Sequence, residues 1–197
     1  MSGAPIGRDE RSRPAPLATG VLAIRVLLAS LSMLFAASLM GYLAVRGRAE
    51  TWPPPGMPAF PRGLWLSTVL MVVSSLTVQW AKRAARRDHQ PTLRAGLLLT
   101  LALGLAFLTS QTVNWFALMA QAFTPDLNLY AFTFYLLTVL HAVHVVGGLI
   151  PLGIVTARAW RGSYSAEFHP GVDYIATYWH FLDVVWLVLF AVLSLAG

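Results

Sequence analysis

His141 and His144 lie three residues apart in an apolar stretch, and His180 and Asp183 repeat that spacing in another. In a helix such pairs share one face. Two imidazoles on a shared face can contribute to a metal or haem site, and a carboxylate one turn from an imidazole can hold or pass a proton. The rest of the sequence gives little support to either chemistry. The chain has no cysteine, so thiolate ligands, disulfides and cysteine nucleophiles are excluded. None of its apolar stretches contains a glutamate, and none contains a His-x-x-x-His or Glu-x-x-His pair. Three imidazoles on two segments make a thin ligand set, and one carboxylate does not make a proton-relay chain. His141, His144, His180 and Asp183 are therefore expected to form a hydrogen-bonded structural cluster. No catalytic, cofactor-binding or metal-ligating residue is expected in this chain.

The elements that carry these residues follow from composition. Of 197 residues, 57% are hydrophobic and 11% charged, against about 25% charged in a typical soluble domain. A helix needs roughly 20 apolar residues to cross a bilayer core about 30 Å thick. Five stretches qualify, at about 19–45, 63–81, 93–121, 129–157 and 174–196. The fold class expected is an all-α integral membrane bundle of five transmembrane helices. Residues 1–16 hold three Arg, two acids and three Pro, and read as a disordered cytoplasmic tail before one transmembrane domain at 17–197. The first apolar run is too long for a signal h-region and has no small-residue cleavage site close behind it, so it is read as a retained span.

The net charge of +6 and pI near 10.3 do not point to nucleic acid, because the basic residues gather between the apolar runs. The basic loop 82–91 reads as a topology signal with anionic-lipid contact. Arg25, about six residues into the first span, is placed to snorkel to the inner interface or to meet a lipid phosphate. Trp80 and Trp179, near span ends, are further candidates for lipid headgroup contact. By rise per residue, His144 lies about 17–20 Å and Asp183 about 13–14 Å from the inner edge. The fourth and fifth helices are thus expected to face each other through Asp–His or Asp–hydroxyl bonds. Gly147, Gly148 and Gly153 signal close helix packing. The absence of internal repeats, and the few polar groups in the spans, weigh against a small transporter.

At this level of detail a family becomes visible. "YWHFLDVVWLVLF" (178–190) resembles the C-terminal helix signature of cytochrome c oxidase subunit III, and "FYLLTVLHAVHVVGGLI" (134–150) resembles its two-histidine helix. "LLASLSMLFAASLMGYLAVR" (27–46) and "WPPPGMPAFPRGLWLSTVLMVVSSLTVQWA" (52–81) resemble the first two helices of bacterial five-helix members. The resemblance covers about residues 20–195. It implies five helices with a lipid-holding cleft, in the bacterial inner membrane. It implies packing against haem–copper subunit I and other oxidase subunits, with haem and copper in those partners and phospholipid here. The implied function is that of a non-catalytic subunit in respiratory O2 reduction. Two acidic positions of the family are replaced, by Leu31 in the first helix and by Asn114 in the third, and a Thr-Gly pair is Thr138-Val139. A proton-handling role drawn from those acids does not transfer. These departures leave open an accessory subunit of nitric oxide reductase, and a membrane cytochrome using His141 or His144 with His180 remains a more distant alternative.

Orientation follows from charge. Ten Lys and Arg lie on the side of the N-terminus and of the 82–94 and 158–173 loops, against Arg46, Arg48 and Arg62 on the other. The positive-inside rule puts the N-terminus in the cytoplasm and the C-terminus outside. A reporter active only in an exported compartment is expected to work when fused after residue 197 and to stay silent when placed in the 82–91 loop; the reverse pattern refutes this orientation.

Overall fold

The computed structural model describes residues 16–58 and 61–196. It contains α1 (Pro16–Arg48), α2 (Gly63–Arg86), α3 (Gln90–Met119), α4 (Leu129–Trp160) and α5 (Pro170–Ala196), with no strand among the described residues. All five helices are long and apolar enough to cross a membrane. The tail expected at 1–16 lies outside the described residues, except that Pro16 already opens α1. A proline is suited to that first turn, where its missing N–H removes no helical bond.

Most helices run past their apolar cores. Expected to end near residue 81, α2 continues through Lys82, Arg83 and Arg86. These residues are good helix formers, and the basic side chains favour a helix C-terminus. α3 begins at a side-chain cap, His89 Nδ1 accepting from the Thr92 N–H at 3.3 Å. α4 is capped by Asn128, whose Oδ1 accepts from the Ala131 N–H at 2.8 Å. Pro151 sits inside α4, where it removes the N–H that would bond the Gly147 carbonyl.

The packing is a ring with one outlier. α2 packs on α3, α3 on α4, α4 on α5, and α5 returns to α2; among the described residues α1 contacts no helix other than α4 and α5. Only 11% of the most apolar stretch of α1 is buried, against 33–44% for the other four. The fold is thus a four-helix bundle with α1 laid along the α4–α5 seam. α2 and α3 approach closely because Gly96 has no side chain. A Cβ there would stand 2.9 Å from the Ala81 Cβ and 3.1 Å from its backbone. Across the bundle, a Cβ on Gly104 of α3 would meet the Trp179 ring of α5 and Leu149 of α4 at 2.9 Å. Small residues of this kind give membrane helices their packing contacts, because lipid supplies no hydrophobic drive between helices.

Candidate functional site

The most polar helix of the ring, α2, carries Ser67, Thr68, Ser74, Ser75, Thr77 and Gln79 within its span. These side chains satisfy groups on both neighbours. Toward α3, Ser67 and Ser110 share a hydrogen bond at 2.9 Å, as do Thr77 and Thr100 at 2.8 Å. Toward α5, the Trp186 indole donates to the Thr68 hydroxyl at 3.0 Å and the Trp179 indole to the Ser74 hydroxyl at 2.9 Å. At the end of this seam Lys82 and Asp173 form an ion pair at 3.0 Å, with His169 at 3.4 Å and Arg86 at 3.9 Å from the same carboxylate.

His180 and Asp183 belong to this seam. The Ser75 hydroxyl lies 2.7 Å from His180 Nδ1, and Gln79 Oε1 lies 3.1 Å from His180 Nε2. The Asp183 carboxyl interacts with the Ser75 hydroxyl and with His180, while its Oδ1 is buried without a hydrogen-bond partner. An amide oxygen only accepts, so Nε2 carries a hydrogen. The chain then closes in two ways. A protonated Asp183 donates to Ser75, which donates to a neutral His180; or His180, doubly protonated, donates to Ser75, which donates to an ionised Asp183. Both arrangements have zero net charge, as a low-dielectric site demands. The expected α4–α5 pairing is therefore corrected: both residues turn to α2, because their side of α5 meets the serine and glutamine of that helix.

The α4 histidines lie elsewhere. His141 is fully buried, its ring 5.1 Å from Trp186, 5.6 Å from Phe107 and 6.2 Å from Phe35. Both its nitrogens lack a hydrogen-bond partner, as do the amide atoms of buried Gln111. His144 Nδ1 lies 2.7 Å from the Leu140 carbonyl, and its ring stands edge-on to Phe35 at 5.1 Å. The four residues expected to form one cluster thus occupy two places. The α4 pair shares an aromatic environment with α1 and α3. A haem ligated by His180 and an α4 histidine does not suit this geometry, since both nitrogens of His180 are already engaged. Among the described residues no group of three or more His, Cys, Asp or Glu is placed to hold a metal ion.

The lipid-facing candidates divide. Arg25 and Trp80 are exposed, Trp80 at 48%. Trp179 is 0% exposed and is corrected from a lipid contact to a core residue, held by Ser74 and seated on Gly104 and Gly148. Its place near a span end suggested the interface; its face of the helix decided otherwise.

Comparison with known proteins agrees with the resemblance in the motifs. The family described as "Cytochrome c oxidase subunit III" matches residues 17–197. The chain belongs to the cytochrome c oxidase subunit III family. It is 33% identical over 174 residues to "Cytochrome c oxidase subunit 3" of Thermostichus vulcanus, covering 88% of this chain and 85% of that protein. It is 34% identical over 169 residues to the protein of the same name from Synechocystis sp., covering 83% and 70%. With "Probable cytochrome c oxidase subunit 3" of Rickettsia felis the identity is 37% over 150 residues, covering 74% of this chain but about half, 53%, of the relative. The nitric oxide reductase alternative is not favoured by these matches.

The two positions at which the resemblance implied replaced acids, Leu31 and Asn114, are both buried in this subunit III chain. Leu31 is buried in the core on α1, one turn before the Phe35 that meets both α4 histidines. Asn114, also buried, lies against Gly63 at the start of α2, where a Cβ on Gly63 would overlap Asn114 Oδ1. The residues that sequence reading passed over are Thr68, Ser75 and Gln79. Their spacing of seven and four residues, continued three on to Lys82, marks one helical face.

A double-mutant cycle tests the seam. Ser75→Ala with His180→Phe is expected to show a coupling of about 0.6 kcal/mol, and at most about 1.7, in unfolding of the detergent-solubilised chain. His144→Phe with His180→Phe is expected to be additive. Coupling in the second pair and none in the first contradicts the assignment.

Proposed function

We propose that this chain is the non-catalytic subunit III of a respiratory haem–copper terminal oxidase in a bacterial inner membrane. Its N-terminus is cytoplasmic and its C-terminus outside. It packs against subunit I and other oxidase subunits, which carry the haem and copper, and it binds phospholipid. The observation that carries this reading is the family match over residues 17–197 on a bundle of five membrane-length helices. The use of its intramembrane polar groups supports it. His180 is spent on Ser75 and Gln79, and the indoles of Trp179 and Trp186 on α2 hydroxyls. These groups are thus committed to joining α2 and α5.

A groove of about 520 Å³ between α1, α4 and α5 supports the lipid part of the proposal. Ile24, Leu27, Ile154 and Tyr178 make it apolar, and Arg158 supplies a cation. Pro151 and Gly147 line it too, so the carbonyl that Pro151 leaves without a helical bond lies beside the groove. Arg25 follows Ile24 on α1 and is exposed near the same groove.

Isolation in mild detergent through a tag on the N-terminal tail is expected to bring down a haem-containing oxidase complex and phospholipid. The visible spectrum is expected to show a Soret band that disappears when the chain is purified alone. A Soret band that persists in the isolated chain, or a tagged chain with no oxidase subunit bound, refutes the proposal.

A further inference from the structure

At its end α2 presents two stripes of cations, and only one of them has partners. Lys82 and Arg86 face α5 and share Asp173. Arg83 and Arg87, about 100° further round the helix, are exposed and form no ion pair among the described residues. Cations at i and i+4 repel each other on a helix surface. The negative end of the α2 dipole and the positive end of the α3 dipole meet at this elbow and offset each other, so the arginines supply its positive potential. The capping residue His89 uses Nδ1 to accept from the Thr92 N–H and lies 2.6 Å from the Thr92 hydroxyl. Accepting at Nδ1 leaves the hydrogen of the neutral ring on Nε2, free to donate. Arg83, Arg87, His89 and Thr92, with Trp80 and Ala84, line one groove of about 420 Å³, within the size range of small-molecule sites.

The surface leading away from this groove is apolar and faces outward. Leu76, Val73 and Val69, four, seven and eleven residues before Trp80, are exposed at 65%, 39% and 57%. They continue the Trp80 face along α2, where acyl chains run. An anion held at the arginines with its tail on this stripe is a lipid. We infer that the α2–α3 elbow is a binding site for one acidic glycerophospholipid. Arg83 and Arg87 hold its phosphate, His89 donates a further hydrogen bond, and Trp80 packs beside the glycerol region. The site lies on a different face from the α1–α4–α5 groove and does not depend on which leaflet the elbow meets.

Native mass spectrometry of the full chain, released from nanodiscs of phosphatidylethanolamine and phosphatidylglycerol, tests this. Near a membrane surface each arginine contributes about 1 kcal/mol to acidic-lipid binding, so Arg83→Gln with Arg87→Gln is expected to weaken retention of one phosphatidylglycerol roughly 25-fold. Arg87→Gln alone, milder for folding, is expected to weaken it about fivefold. Arg161→Gln, in the other basic loop, is expected to change nothing. Equal phosphatidylglycerol retention by wild type and Arg87→Gln overturns the assignment. So does an equal loss with Arg161→Gln, equal retention of phosphatidylethanolamine and phosphatidylglycerol, or full displacement of the lipid by inorganic phosphate.

Discussion

The fold depends on one constraint: within a bilayer, a buried polar side chain has no water to fall back on, and a hydrogen bond to a neighbouring helix both satisfies it and ties the two helices together. Lipid tails are as apolar as leucine, so helices gain nothing from hiding apolar surface from one another. In this chain the constraint is met mainly by α2. Its hydroxyls and its one intramembrane amide bond to α3 on one side and to α5 on the other. α5 adjoins α2 in the ring although it comes last in the chain, and the seam between them is where its two indoles, its imidazole and its two carboxylates all lie.

The spans were legible in the sequence because hydrocarbon thickness sets their length. Their ends were less so: the apolar run of α2 stops near 81 while the helix runs to Arg86, since basic residues leave the bilayer without leaving the helix. The residues that need partners were also legible, since an ionisable group at membrane depth stands out. Which partner each one finds depends on helix rotation and neighbour order, neither of which is written locally. Asp183 and His144 were placed at comparable depth and inferred to meet, but His180 and Asp183 turn to Ser75. Trp179 illustrates the same limit. Depth put it near an interface, while its rotation put it on Gly104 and Gly148 in the core. The signal available and missed was the polar face of α2 at Thr68, Ser75, Gln79 and Lys82.

Membership of the subunit III family fits this picture. Leu31 and Asn114 are both buried, and Asn114 lies against Gly63 of α2. The His180–Ser75–Asp183 unit is anchored on α2, with Ser75 and Gln79 at the two nitrogens of His180. His141 follows a different solution, an imidazole set among Phe35, Phe107 and Trp186. It links α1, the most loosely attached helix, to the centre of the bundle.

The absence of native cysteines gives a clean background for the most direct test of the α2–α5 seam. Paired cysteines replacing Ser75 and His180, and separately His144 and Asp183, are bridged in the native membrane with a short bifunctional thiol reagent that spans the length of the lost imidazole, and read as intramolecular cross-links after partial proteolysis. The structure predicts a high-yield 75–180 link and little or no 144–183 link. A 144–183 link formed in the absence of a 75–180 link would contradict it.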